Sequence, residues 1–253
     1  TFNLLTVSRQ YFSQLDSCKK KIFRFHHIST DEVYGDLNIK DSPAKESNKY
    51  LPSSPYSASK AAADHLVRAW FKTYGLPIII TNTSNNYGPF QYPEKLIPHT
   101  ILAILHNKQI PIYGNGNQIR DWIFVEDHVE ALLKVIKSGV LGETYNIGGN
   151  NQIKNIDVVK SICKIMSEIL YKKKKVKNNI YKLITFVKDR PGHDFRYGID
   201  QSKIIKNLNW KPKTNFKTGI KRTVLWYVNN HNWWKNIISK GYKLKRKGKK
   251  FTT

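Results

Sequence analysis

Tyr56 and Lys60 stand four residues apart in Tyr-Ser-Ala-Ser-Lys, a spacing that sets a phenol and an ammonium on one face of a helix. A free phenol titrates at about 10, too high for a base at neutral pH, and a cation held beside it favours the phenolate. Such a pair takes the proton from an alcohol while hydride leaves to a nicotinamide. The spacing alone is common, and a surface Tyr–Lys pair meets it equally well. Upstream, His27-Ile-Ser-Thr-Asp-Glu-Val-Tyr-Gly35 places Thr30, Asp31 and Glu32 just past an apolar-rich run. Active sites of open parallel sheets lie outside the carboxyl ends of the strands. Two adjacent carboxyls take acid and base roles when their surroundings push their pKa values apart. Read by itself, the triplet is equally a solvated turn with acids capping a helix.

More runs join these. His26–Leu37, Pro52–Lys60, Ser84-Asn-Asn-Tyr-Gly-Pro89, Pro93-Glu-Lys-Leu-Ile-Pro98, Gln118-Ile-Arg-Asp-Trp122, Tyr145-Asn-Ile-Gly-Gly149 and Asp189-Arg-Pro-Gly-His-Asp194 come in this order. Together they resemble the dTDP-glucose 4,6-dehydratases, NAD-dependent lyases of the extended short-chain dehydrogenase group, from residue 1 to Trp234. Within this resemblance the Asp31-Glu32 pair discriminates, since related 4-epimerases lack both acids and GDP-mannose dehydratases keep only the glutamate. The resemblance implies loss of water from dTDP-glucose to give a 4-keto-6-deoxy sugar nucleotide for deoxysugar and surface polysaccharide synthesis, with hydride lent to bound NAD and returned. Tyr56, helped by Lys60 and Thr30, would deprotonate the hydroxyl on sugar carbon 4. Glu32 would remove the proton on carbon 5, and protonated Asp31 would help the carbon 6 hydroxyl leave.

The same resemblance makes Asn85 a sugar contact and Asn86 a nicotinamide-side contact, with Tyr56 and Lys60 also touching the cofactor. Lys95, Arg120, Asp189, Arg190 and His193 become contacts to pyrophosphate, ribose and base, and Tyr113 packs against the thymine. Leu96, Pro111, Ile112 and Asn155 complete the substrate set. Each has an ordinary alternative: a salt-bridged Arg120, a turn at Asn85-Asn86, a structural His193. His65 and His128 read as structural, and no metal-ligand spacing occurs.

The elements that must hold these groups alternate between helix and strand. Phe2, Leu5, Phe12 and Leu15 fall near helical spacing over residues 2–15. Ile22–Ser29 reads as a strand ending at Thr30, and Gly35–Pro52 as a polar loop. Pro55 suits a helix start; the alanine-rich run to Tyr74 is stopped by Gly75 and Pro77. The continuous β-branched run Leu76–Thr81 marks a strand buried on both faces. Helices are expected over Leu96–Asn107, Asp127–Ser138 and Asp157–Leu170, and strands over Tyr145–Ile147 and Leu183–Val187. This alternation predicts an α/β fold with a parallel sheet.

With the resemblance, this alternation implies an incomplete Rossmann-type, doubly wound parallel sheet interleaved with a smaller, mostly helical substrate domain. The first takes residues 1–86 and 121–149, the second 87–120 and 150–235, and 236–253 form a basic disordered tail. The glycine-rich phosphate loop of such folds belongs to a first βαβαβ half. Gly114-Asn-Gly116 and Gly148-Gly149 do not open a helix after a strand in GxGxxG spacing. The chain is accordingly read as lacking the principal NAD cradle and as inactive alone, with an inactive remnant as the alternative.

Composition narrows the partners. The net charge of +25 suggests nucleic acid, but the surplus is lysine, 35 against 8 arginines, alongside 28 isoleucines and 22 asparagines. A phosphate-reading surface favours arginine. Lys, Ile and Asn share A/T-rich codons, so a drifting solvated surface explains the charge and nucleic acid is not expected. No apolar run approaches the ~20 residues that span a bilayer. Two distant cysteines, Cys18 and Cys163, point to a reducing cytosol. The expected partners are the sugar nucleotide and a second copy of the chain.

Overall fold

The computed structural model describes residues 1–172 and 179–239. In chain order they form α1 (Phe2–Gln14), α2 (Ser17–Ile22), β1 (Phe25–Thr30), α3 (Pro55–Tyr74), β2 (Ile78–Thr83), β3 (Asn85–Tyr87), α4 (Leu96–Leu105), β4 (Ile110–Tyr113) and β5 (Ile119–Phe124). Next come α5 (Val125–Ser138), β6 (Thr144–Ile147), β7 (Gln152–Lys154), α6 (Asn155–Lys172), β8 (Ile184–Val187), α7 (Ser202–Leu208), α8 (Phe216–Asn229) and α9 (His231–Ser239). No described helix is long and apolar enough to cross a membrane.

Two compact units divide the described residues: 1–86, 119–152 and 192–215 form one, and 87–118, 153–172, 179–191 and 216–239 form the other. The first is built on a parallel sheet in the order β1-β2-β6. Residues alternate faces along a strand, and β2 has an apolar demand on each. Ile78 and Ile80 join Leu5 and Val67 in one buried cluster, while Ile79 joins Ala131, Val135, Tyr145, Ile204 and Leu208 in another. Helices α1 and α3 thus cover one face and α5 and α7 the other, the doubly wound arrangement expected.

Local chemistry fixes the element that matters most. Ser54 caps α3: its hydroxyl accepts from Ser57 N while Ser57 Oγ accepts from Ser54 N, and Pro55 occupies the first turn. The helix ends at Gly75 in the left-handed region. In the second unit, β4 and β8 pair in parallel, Ile110 opposite Ile184 through Tyr113 opposite Val187. Helices α4, α6 and α8 pack on one another there, and α9 is pinned to α8 by Trp234 Nε1 donating to Tyr227 O at 2.9 Å.

Several expectations are corrected. Ile22 ends a helix rather than opening a strand, because Asp16 caps Ser17–Ile22 by accepting from Lys19 N. Segment 192–215 belongs with the first unit, not the second. Asp200 N donates to Ala44 O at 2.8 Å, and Ile204 and Leu208 fill the cluster around Ile79. Residues 236–239 continue α9 rather than begin a tail. The remainder of that tail and the lysine run from Lys173 lie outside the described residues. Strands β3, β4, β5 and β7 and helices α7, α8 and α9 are additions to the elements expected from the sequence pattern.

Burial of β2 on both faces has a measurable consequence. Ile79→Ala should lower the free energy of urea unfolding by about 2–5 kcal/mol. Ile28→Ala, at a position 46% exposed on β1, should cost under roughly 1 kcal/mol. Equal losses would show that the sheet is not covered as described.

Candidate active site

Strand β1 delivers Thr30 to the carboxyl end of the sheet, where the chain turns into a 3-10 helix over Asp31–Tyr34. Thr30 caps it: its hydroxyl oxygen accepts from Glu32 N and donates to Asp31 Oδ1, both at 3.3 Å. Gly35 closes the turn at φ +83°, and a Cβ there would stand 2.2 Å from Leu51 O, so no side chain fits. Asp31 is 3% exposed and its Oδ2 has no hydrogen-bond partner among the described residues. Burial, then the charges of Glu32 and Asp121, push its carboxyl up to about 8; Arg120 and the Thr30 hydroxyl oppose this only in part. Asp31 therefore carries a proton at neutral pH, while its half-buried neighbour Glu32 supplies part of the field that keeps it there.

Tyr56, in the first turn of α3, is 55% exposed and faces Thr30. Its phenol is raised above its ordinary value by partial burial and by Glu32 and Asp31, with the Thr30 hydroxyl acting the other way. This corrects the expectation that Lys60 lowers it. The Lys60 ammonium instead donates to Ile28 O at 2.7 Å, so the strand backbone takes the charge that was expected beside the phenol.

The neighbouring strand ends supply the rest of the first unit's candidates. Asn85 Oδ1 is buried without a hydrogen-bond partner among the described residues, and Asn86 Nδ2 donates to Ser84 O at 3.2 Å. Arg120 is 5% exposed; its guanidinium donates to Ile119 O, Phe195 O and Asp194 O and lies 4.3 Å over the Tyr197 ring. It thus holds β5 to segment 194–197, with its field reaching Asp31. His193, half-buried, precedes Asp194, whose Oδ2 accepts from Ser53 Oγ and Tyr197 OH.

In the second unit, Pro111, Ile112 and Tyr113 lie on β4, and Lys95 precedes Leu96 at the start of α4. Beyond the ends of β4 and β8, Asp189 accepts from Gln118 Nε2 at 2.7 Å and from Arg190 N at 2.8 Å. Asn155 opens α6, its N–H donating to Gln118 O and its Oδ1 buried with no hydrogen-bond partner among the described residues. The structure thus gathers Tyr113, Asp189, Arg190 and Asn155 around one strand end. Lys95 is instead an exposed side chain 3.8 Å from Glu94.

One residue passed over in the sequence is Asp121. It is 1% exposed and accepts from Gly149 N at 2.9 Å and Asn151 N at 2.6 Å, binding the loop after β6 to β5. The backbones approach so closely there that a Cβ on Gly149 would stand 1.9 Å from Trp122 O, which accounts for that glycine without any phosphate. The available signal was a carboxylate beside the otherwise apolar run Trp122–Val125. Among the described residues no cluster of His, Cys, Asp and Glu is placed to hold a metal.

Because Asp31's folded pKa lies above its free value of 3.8, the native state binds more protons than the unfolded state between about pH 4 and about pH 8, and stability falls as pH rises across that window. Asp31→Asn removes this dependence. The variant should gain stability over the parent progressively from about pH 4 to about pH 8 in urea midpoints, whereas a pH-independent difference would contradict the assignment.

Known proteins share this fold and much of this sequence. The family model described as GDP-mannose 4,6 dehydratase matches residues 1–223. The dTDP-glucose 4,6-dehydratase of Neisseria meningitidis serogroup B is 56% identical over 248 residues, covering 98% of this chain and 70% of that protein. The crystal structure of dTDP-glucose 4,6-dehydratase from Bacillus anthracis in complex with NAD superposes with a TM-score of 0.80 at 42% identity, over 92% of this chain and 68% of that one. That of the Streptomyces venezuelae enzyme with NAD and TYD bound gives 0.77 at 36% identity, over 91% and 67%. Identity of this extent does not favour the reading of the chain as an inactive remnant.

Proposed function

Because the chain belongs to the GDP-mannose 4,6 dehydratase family, we propose that it acts as a dTDP-glucose 4,6-dehydratase, an NAD-dependent lyase. The observation that carries the reading is Asp31: a buried carboxyl, pushed up to about 8, beside a second acid and with its field reaching an exposed phenol. Loss of water from a sugar needs an acid for the departing hydroxyl and a base for the neighbouring carbon, and an adjacent pair held in different environments supplies both.

The residues present fit the nicotinamide end of a dinucleotide. Tyr56 presents an accessible phenol and Lys60 an ammonium four residues on along the same helix face, while the buried, unpartnered oxygen of Asn85 is left for the sugar. Bound NAD supplies a hydride acceptor and, once reduced, a donor. Tyr56 takes the proton of the carbon 4 hydroxyl, with Thr30 beside it and Asn86 on the nicotinamide side; because its phenol stands above its ordinary value here, the step requires the Lys60 ammonium to turn from Ile28 O toward the phenol. The ketone so formed acidifies the carbon 5 proton, which Glu32 takes. Asp31 then gives its proton to the carbon 6 hydroxyl as it leaves as water, and Glu32 returns its proton to carbon 5 once carbon 6 has been reduced. Asn85 contacts the sugar. Lys95, Leu96, Pro111, Ile112, Tyr113, Arg120, Asn155, Asp189, Arg190 and His193 hold the nucleotide, Tyr113 against the thymine.

We also propose a homodimer, supported by the exposed apolar residues Phe2, Leu4, Val7 and Tyr11 on α1, the helix packed against α3. The free thiols of exposed Cys18 and buried Cys163 support a reducing cytosol.

The chemistry is redox-neutral overall. Incubated with dTDP-glucose and NAD, a full-length version carrying the glycine-rich half should form the 4-keto-6-deoxy product, detected by NMR, with no net rise in NADH absorbance. Stoichiometric NADH would mean that hydride is never returned and that the chain is a simple dehydrogenase.

A further inference from the structure

Asp64 lies outside the constellation assigned so far, yet it is fully buried on the helix that carries Tyr56 and Lys60. Residues four apart on a helix share a face, so Tyr56, Lys60 and Asp64 form one row. That row runs along β1 as a ladder. Tyr56 faces Thr30, Lys60 donates to Ile28 O at 2.7 Å, and Asp64 Oδ1 meets His27 Nε2 at 3.0 Å.

The last rung is the most heavily built. Asp64 Oδ2 accepts from Tyr50 OH at 2.9 Å and from Asn82 Nδ2 at 3.3 Å. Asn82 Nδ2 in turn donates to Thr30 O at 3.1 Å, so two hydrogen bonds separate the carboxylate from the backbone of a catalytic candidate. Arg68, one helical turn further along the row, donates to Tyr50 OH at 2.7 Å. Burial alone would raise Asp64's carboxyl, but its hydrogen bonds, from His27 above all, hold it below its ordinary value. A buried carboxylate with this many donors has one low-energy seat, and moving it leaves polar groups unpaired.

We propose that Asp64 is a positioning residue, fixing where α3 sits along β1 and thereby the placement of Tyr56 and Lys60 against Thr30, Asp31 and Glu32. The inference rests on the dehydratase reading for its kinetic consequence and on geometry alone for its structural one. A displacement of about 1 Å at a reacting group can cost on the order of 10²-fold in rate. Substrate binding, which this row does not supply, should be spared.

The test compares the whole enzyme with Asp64→Asn and with the milder Tyr50→Phe. Asp64→Asn should lower kcat by roughly 10-fold or more with KM for dTDP-glucose within about 2-fold. It should also enlarge the isotope effect from deuterium at sugar carbon 4, because misplacing Tyr56 slows the oxidation step. Tyr50→Phe should move both quantities the same way by less. Amide exchange should quicken in residues 55–60 of each variant. Lower kcat with an unchanged isotope effect and unchanged exchange in that helix turn would mean only less folded protein, and would overturn the proposal, as would no change at all. If the parent makes no 4-keto product, the dehydratase reading fails, and the exchange of residues 55–60 alone decides the role of Asp64.

Discussion

Ile78, Ile79 and Ile80 are all fully buried, and successive side chains of a strand point to opposite faces, so β2 requires cover on both sides and a partner at each edge. Its parallel neighbours β1 and β6 meet the second demand, and α1 and α3 against α5 and α7 meet the first. Parallel pairing then sends the carboxyl ends of all three strands to one edge of the sheet. Thr30, Thr83 and Ile147 reach that edge in register. The segments leaving the strands there are the acid turn after β1, which holds the candidates Asp31 and Glu32, Asn85 after β2, and, after β6, the Gly148-Gly149 loop tied down by Asp121. The site is a consequence of covering one apolar strand.

Much of this is legible in the residues themselves. The run Leu76–Thr81 announces its double burial through β-branched residues without a polar alternation, and α3 is bounded by Pro55 and Gly75, both of which act through backbone geometry rather than distant contacts. The misses have physical causes of another kind. Ser17–Ile22 is helical because Asp16 caps it, a local signal outweighed by the apolar Ile22. Strand β5 is hidden because Arg120 and Asp121 interrupt its apolar pattern, and both are buried only because each finds backbone partners far away in the chain. Pattern alone puts segment 192–215 in the wrong unit, since the contacts of Ile204 with the Ile79 cluster are long-range. The Tyr56–Lys60 spacing correctly predicts one helical face, but spacing says nothing of the Ile28 carbonyl that claims the ammonium.

The two carboxyls differ in the same manner. Asp31 and Glu32 are indistinguishable as sequence, and the turn at the end of β1 separates them by sending one inward and leaving the other half-buried. An ionised carboxylate with an unbonded oxygen in such a place would be costly, so the fold resolves the conflict by keeping the proton. A group that holds a proton at neutral pH, beside a second acid, is what departure of a hydroxyl as water asks for. Asp121 contributes to this state as well as to the loop, which joins the stability of the sheet's edge to the acidity of its catalytic candidate.

The acid role proposed for Asp31 turns on the protonation state of that single carboxyl. Carbon-13 NMR of aspartate carboxyls, with the Asp31 signal assigned by its disappearance in Asp31→Asn, reads it directly across a pH series. A neutral carboxyl shift at neutral pH and a midpoint close to 8 are expected. A midpoint near the free aspartate value of about 4 would contradict this, since Asp31 would then enter the reaction as a carboxylate with no proton to give.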